Sequence, residues 1–391
     1  MSSRITGSYN PAPMPATPQG AAGTAGAAAS GAGRQGPAGS AQKALRPCNP
    51  KRTAVAAPMA GWLGSASQVC GSSFEAVSAL FEDAREGREL PYDQAEEVVD
   101  RLLGRIEEDR DSILSLVRLK SHDDYACMHS VAVSVLMACL GRQMGFDTAR
   151  VKQSAVAGLM HDIGKAFISQ TLLQKPDRFT SEEHRMVQSH TVYGYEALGR
   201  MAEIEEAVRD VALHHHERPD GKGYPHGLPG DEISVFAKMG AVCDVYDAVT
   251  SNRPYKDGSD PGHAMERMLK WTRAGQFDTE VMAAFQALMG LHPIGSLVRL
   301  ASGRLAVINA QRSGKPLQPS VTAFYCTLTD TLFPPEIVDL ALPGATDSIA
   351  STESNGVWRF EDLDTLWAGD FAGGIHHAGY LPLQQPAGIR C

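Results

Sequence analysis

Apolar residues recur at helical spacing in two stripes before the middle of the chain. Phe74, Val77, Leu80 and Phe81 form one stripe between about 66 and 115, and Ala95, Val98, Val99, Leu102, Leu103 and Ile106 form a second. Intervals of three and four put such side chains on one helix face, so two amphipathic helices are predicted. From 121 to 290 the pattern stays helical. Thr180 followed by Glu183 fits a capping box opening a helix that carries Met186, Val187 and Leu198. Asp231 precedes another predicted helix, EISVFAKMGAVCDVYDAVTS. Before it, RPDGKGYPHGLPG concentrates proline and glycine and reads as an irregular loop between helices. After Pro293 the period changes. SLVRLASGRLAVINA alternates like two strands joined at Ser302 and Gly303, and SVTAFYCTL reads as a third strand.

The expected fold is therefore mainly α: a helical segment over 66–120, a helical bundle over 121–292, a small β-rich region over 293–370 and a loose tail over 371–391. Residues 1–57 are rich in Ala, Gly, Pro and Ser, bury too little apolar surface to offset their ordering entropy, and are expected to be a disordered tail. The N-terminal helices are a candidate surface for a homodimer, although plain packing within the chain explains their stripes as well.

Charge narrows the function. There are 36 lysines and arginines against 45 aspartates and glutamates, which speaks against a DNA or RNA polymer as partner. No apolar run approaches the ~18–20 residues needed to cross a bilayer, and the opening MSSRITGSYNPAP lacks the order of a secretory signal. The expectation is a cytoplasmic protein without a membrane partner. Seven scattered cysteines without a CxxC pair read as reduced thiols.

Histidine and aspartate cluster in the helical middle. His129 lies in DDYACMHSVAV, His161 and Asp162 in AGLMHDIGK, His190 in EEHRMVQSHTVYG, His214, His215 and His216 in VALHHHERPDGKGYP, and Asp244 and Asp247 in CDVYDAVTSNRPYK. Successive members stand 25 to 32 residues apart (129, 161, 190, 215 and 244), a helix plus its connection each time. Antiparallel helices at that spacing can each aim one ligand into a shared interior. His161 and Asp162 differ by about 100° around a helix, so they reach different parts of one cluster. Neutral imidazoles with bridging carboxylates and no thiolate suit iron or manganese, with zinc, nickel or cobalt as substitutes.

Blander readings stand beside these. A lone buried histidine is more often a core residue than a ligand, which applies most to His214. Asp247 reads as a ligand, as a partner for Lys165, or as a solvated carboxylate, the partner role being favoured. Gly164 can end the helix so that Lys165 faces the site. Cys243 reads as core packing.

HDIGK, HHERPDGKGYP and CDVYDAVTSNRPYK together resemble the HD-GYP subgroup of HD-domain phosphohydrolases, and the resemblance spans roughly 66 to 370. The flanks FEDAREGREL and FEDLDTLWAG resemble members that carry the DUF3391 N-terminal module, most of which the low-complexity tail replaces here. The resemblance implies an α-helical HD fold around two transition-metal ions, usually iron. It assigns His129, His161, Asp162 and Asp244 to one ion, and Asp162, His190, His215 and His216 to the other. Some members hold a third metal through a Glu four residues before the first histidine, where this chain has Tyr125. Thr191 stands where the family usually has proline.

The implied reaction is attack of a metal-bridging hydroxide on cyclic di-GMP, giving linear pGpG and in a second step GMP. Asp162, Lys165 and Asp247 are the candidate catalytic residues: Lys165 on the scissile phosphate, with Asp247 fixing its ammonium. Arg253 and Lys256 are candidates for the other phosphate, although Lys256 reads equally as surface charge. Gly221 and Gly223 would let backbone approach the ligand, and Tyr224 would stack on guanine or anchor the loop. Two rivals remain: a sensor that binds cyclic di-GMP without cutting it, and a phosphohydrolase for another nucleotide.

Overall fold

The computed structural model describes residues 60–88, 92–116, 125–201, 204–251, 258–312, 315, 317–360 and 363–368. The tails expected over 1–57 and 371–391, together with Arg253 and Lys256, lie outside the described residues.

Eleven helices precede the sheet among the described residues. They are α1 (Ala60–Arg85), α2 (Tyr92–Leu116), α3 (Tyr125–Gln143), α4 (Thr148–Met160), α5 (Gln170–Leu173), α6 (Ser181–Gln188), α7 (His190–Leu198), α8 (Glu206–His214), α9 (Val235–Thr250), α10 (Pro261–Arg273) and α11 (Thr279–Met289). A single 3-10 turn, Ile163–Phe167, follows α4. Both stripes read from the sequence are buried: Val77, Leu80, Val98, Val99 and Leu102 join α3, α4, α8, α9 and α11 in one apolar core. The described apolar stripes of α1 and α2 thus pack within the chain. Among the described residues, no helix is long and apolar enough to cross a membrane.

Capping sets the helix starts. Thr180 and Glu183 form the expected capping box of α6. Asp147 caps α4 by accepting from Arg150 N at 2.8 Å. The helix expected after Asp231 begins only at Val235, because Ser234 is the residue whose hydroxyl accepts from Ala237 N, at 3.1 Å. His190, read as lying inside one helix, follows a break at Ser189 that separates α6 from α7.

The C-terminal sheet has five antiparallel strands in the order β4-β3-β2-β1-β5. They are β1 (Leu297–Leu300), β2 (Arg304–Ala310), β3 (Ser320–Cys326), β4 (Thr331–Asp339) and β5 (Ile349–Thr352). Alternation buries both faces: Leu297, Leu305 and Val307 join Trp367 on one side, and Val298, Leu300, Ala306 and Ile308 join Val321 and Ala323 on the other. Three strands were expected. β4 escaped because it contains Pro334 and Pro335, which an edge strand tolerates and a central one does not; β5 is only four residues long. Asp260, the N-cap of α10, also accepts from Leu297 N at 2.9 Å and ties the sheet to the helices.

Candidate metal centre

Three histidines reach the centre by one device. His161 Nδ1 donates to the Gly158 carbonyl at 2.7 Å, His190 Nδ1 to Val187 at 2.7 Å and His215 Nδ1 to Val211 at 2.8 Å. A carbonyl can only accept, so each Nδ1 carries the proton and each Nε2 presents its lone pair. His129 is set by a carboxylate, its Nδ1 donating to Asp247 Oδ2 at 2.6 Å. A hydrogen bond of this kind on the far nitrogen orients a metal-binding imidazole and raises its basicity.

The lone pairs converge on Asp162. Its Oδ1 lies 3.3 Å from His190 Nε2 and 3.8 Å from His215 Nε2. Its Oδ2 lies 3.3 Å from His161 Nε2 and 3.6 Å from His129 Nε2. Asp244 Oδ1 stands 3.0 Å from His129 Nε2, and Asp244 Oδ2 stands 3.8 Å from His216 Nδ1. Two trios of donor atoms, His129–His161–Asp162 and His190–His215–His216, each fall within 4.8 Å of one another. Buried His161 Nε2 and Asp162 Oδ1 have no hydrogen-bond partner. Such orphaned acceptors are costly in a protein interior and are what a bound cation would satisfy.

Charge at the centre follows from its surroundings. Burial favours the neutral acid of Asp162, but the Lys165 ammonium and His161 hold it well below the usual carboxylate range. Asp244 is likewise buried and likewise held down, by His129 and His216. Burial pushes His190 down to about 4 and His216 down to about 3, and drives His215 well below its ordinary value. For His129 burial works in the same direction, but the carboxylates of Asp244 and Asp247 outweigh it and raise its pKa.

These shifts predict a pH dependence for metal-stripped protein. The unfolded chain takes up protons at its histidines near pH ~6.5, where folded His190, His215 and His216 do not. Stability is therefore lost as pH falls from about 6.5 toward their folded values. His129 acts oppositely, its contribution being full below about 6.5 and lost at higher pH. Three lowered groups outweigh one raised group, so the thermal midpoint of the stripped protein should be lower at pH 5 than at pH 7. An equal or higher midpoint at pH 5 would contradict the burial of these imidazoles.

Several expected roles change. Lys165 was expected to be fixed by Asp247; its ammonium instead sits on Asp162 Oδ2. Asp247 is buried and serves His129. Replacing Asp247 with Asn removes the charge behind that imidazole, and metal affinity should fall about 10–100-fold. Isothermal titration of stripped protein with Mn2+ checks this, and wild-type affinity would disprove the role.

Gly223 was expected to admit ligand. A Cβ there would collide with the backbone of His216, Glu217 and Arg218, so the glycine lets the loop fold against its own start. Gly221 has φ +70 and supplies a left-handed turn. Tyr224 stacks on His216, with centroids 4.6 Å apart and an interplanar angle of 27°, and so backs one of the clustered imidazoles. His214 lies outside the cluster, bonded to Asp210 at 2.7 Å and His226 at 3.1 Å. Thr191 is buried and donates to the Gln188 carbonyl at 3.1 Å.

One organising residue was missed. Glu217 is buried and accepts from the backbone N–H groups of His226 (2.6 Å), Gly227 (3.0 Å) and Leu228 (3.0 Å). It closes the loop that holds Tyr224 against His216. Its position directly after His215 and His216 was the available signal.

A helical bundle that aims imidazoles from α3, from α7 and from the end of α8 at an aspartate just after α4 defines the class of HD-domain proteins. A family model described as an HD domain matches residues 111–281. A Pseudomonas aeruginosa protein named as a cyclic di-GMP phosphodiesterase is 42% identical over 304 residues, 78% of this chain and 73% of its own length. A Vibrio cholerae protein named as a 3'3'-cGAMP-specific phosphodiesterase is 33% identical over 169 residues, 43% of this chain and 36% of that relative. A solved HDG"Y"P protein from Bdellovibrio bacteriovorus matches with a TM-score of 0.50 at 18% identity, over 59% of this chain and 74% of that one, which shows the fold alone. The chain belongs to the HD-GYP family of HD-domain phosphodiesterases.

Proposed function

We infer that the protein is a metal-dependent phosphodiesterase that opens cyclic di-GMP to linear pGpG, with GMP as the product of a second cut. The observation that carries this reading is the division of Asp162, whose two oxygens face separate sets of imidazole lone pairs. The identity with the Pseudomonas cyclic di-GMP phosphodiesterase supports the substrate.

The donor set fits two transition-metal ions: imidazole nitrogens, two ionised aspartates, and buried acceptors without a hydrogen-bond partner. His129, His161, Asp162 and Asp244 would hold one ion, and Asp162, His190, His215 and His216 the other. Iron is the ion that the family resemblance favours, with manganese, zinc, nickel or cobalt as substitutes. Such a pair supplies an acidified water as nucleophile and positive charge for the entering and leaving oxygens.

The chain's own residues do the rest. Buried Nδ1–H bonds hold four imidazoles in the tautomer that binds cations, and burial keeps His190 and His216 neutral. Lys165 carries its charge at the edge of the cluster, partly exposed, where an incoming phosphate can draw it from Asp162. The low local dielectric strengthens that attraction relative to water. Arg253 and Lys256, outside the described residues, are the sequence's candidates for the second phosphate of the ligand.

The 3'3'-cGAMP-specific relative favours a second reading, a mixed cyclic dinucleotide as substrate. Incubation of reduced, iron-replete protein with each dinucleotide, followed by chromatography, tests both. Linear pGpG from cyclic di-GMP is the expected result. Faster cleavage of the mixed dinucleotide would favour the second reading, and tight binding without product would make the protein a sensor.

A further inference from the structure

Among the described residues, the helical part exposes few large apolar side chains, and their placement is uneven. Among the described residues before the sheet, they are Phe167, Phe179, Met186 and Tyr193. All four fall in the stretch that begins just after Lys165 and ends just after His190. Scattered exposed apolar residues need no explanation, but a group confined to the segment between two site residues does.

Phe167 and Tyr193 are each 40% exposed, and their rings meet edge to face with centroids 6.3 Å apart. Their backbones are locked together. A Cβ on Gly164 would collide with the His190 carbonyl and the Gly194 nitrogen, so the turn carrying Lys165 and Phe167 lies directly against the start of α7. Tyr193 is three residues beyond His190 on α7, about 4.5 Å along the axis and about 60° around it. Phe167 closes the turn that also holds Lys165. The pair therefore lies beside the turn and the helix that supply Lys165 and His190.

We propose that Phe167 and Tyr193 form an aromatic shelf that receives one purine base of the cyclic dinucleotide whose phosphate lies at Asp162. This rests on the function inferred above. A purine stacks on an aromatic face regardless of its hydrogen-bonding edge, so the shelf contributes affinity and places the nucleotide without choosing between guanine and adenine. It also takes over the base contact first expected of Tyr224, whose ring is stacked on His216.

Steady-state cleavage of cyclic di-GMP by the full chain tests the shelf, using the paired substitution Phe167→Leu with Tyr193→Leu. Leucine keeps apolar bulk for folding and removes the aromatic face. The KM should rise between about fivefold and a hundredfold, with a smaller change in kcat. Tyr193→Phe alone should keep the wild-type KM, because the ring remains, and metal content should match wild type throughout. An unchanged KM in the double leucine variant overturns the shelf while leaving the enzyme activity standing. No linear product from the unaltered protein overturns that activity and the shelf's occupant with it.

Discussion

Asp162→Ala is expected to lose both ions and to cut cyclic di-GMP at least about a thousandfold more slowly than wild type. Metal chemistry supplies several kcal/mol of transition-state stabilisation, and each ~1.4 kcal/mol is tenfold in rate. The residue is singular because its Oδ1 faces His190 and His215 while its Oδ2 faces His161 and His129. Asp244 also reaches both sets, through His129 and His216, but only Asp162 meets two imidazoles with each of its oxygens within 3.8 Å. Its removal also leaves Lys165 without its partner, so circular dichroism must accompany the assay. A folded Asp162→Ala protein that turned over at the wild-type rate would rule out the mechanism.

Gly164→Ala should also do harm, without altering any side chain of the cluster. A methyl group there has no room between the turn and α7, because the His190 carbonyl and the Gly194 backbone occupy its place. Backbone cannot yield as a flexible side chain can. The expected cost is about 1–3 kcal/mol of stability, as for other overpacked sites, together with displacement of His190 from Asp162. Urea unfolding and metal analysis read the two effects separately. Wild-type values in both would show that the turn and α7 are not packed as described.

This position shows what the sequence could and could not reveal. HDIGK suggested that Gly164 ends a helix, yet α4 already ends at Met160 and the glycine serves a contact with a helix some thirty residues later. Long-range packing leaves no local signature. The converging imidazoles were legible for the opposite reason: histidines and aspartates recur about once per helix, a regular spacing that the sequence displays directly. Asp247 was expected to pair with Lys165 and instead meets His129, because its partner depends on how α3 and α9 pack, which local sequence does not show. The fold divided the same way. Buried stripes on α1, α2 and α9 could be read from periodicity, whereas β4 hid behind its two prolines. Tyr224 and Gly223 were correctly placed in a loop, but whether that loop faces ligand or its own stem depends on Glu217, whose three backbone contacts lie nine to eleven residues away.

Metal stoichiometry of the purified, reduced protein tests the central claim most directly. Inductively coupled plasma measurement should find about two transition-metal ions per chain in the unaltered protein and fewer than one after Asp162→Ala. Saturation at a single ion, or a full count retained by Asp162→Ala, would contradict a centre built on a shared aspartate.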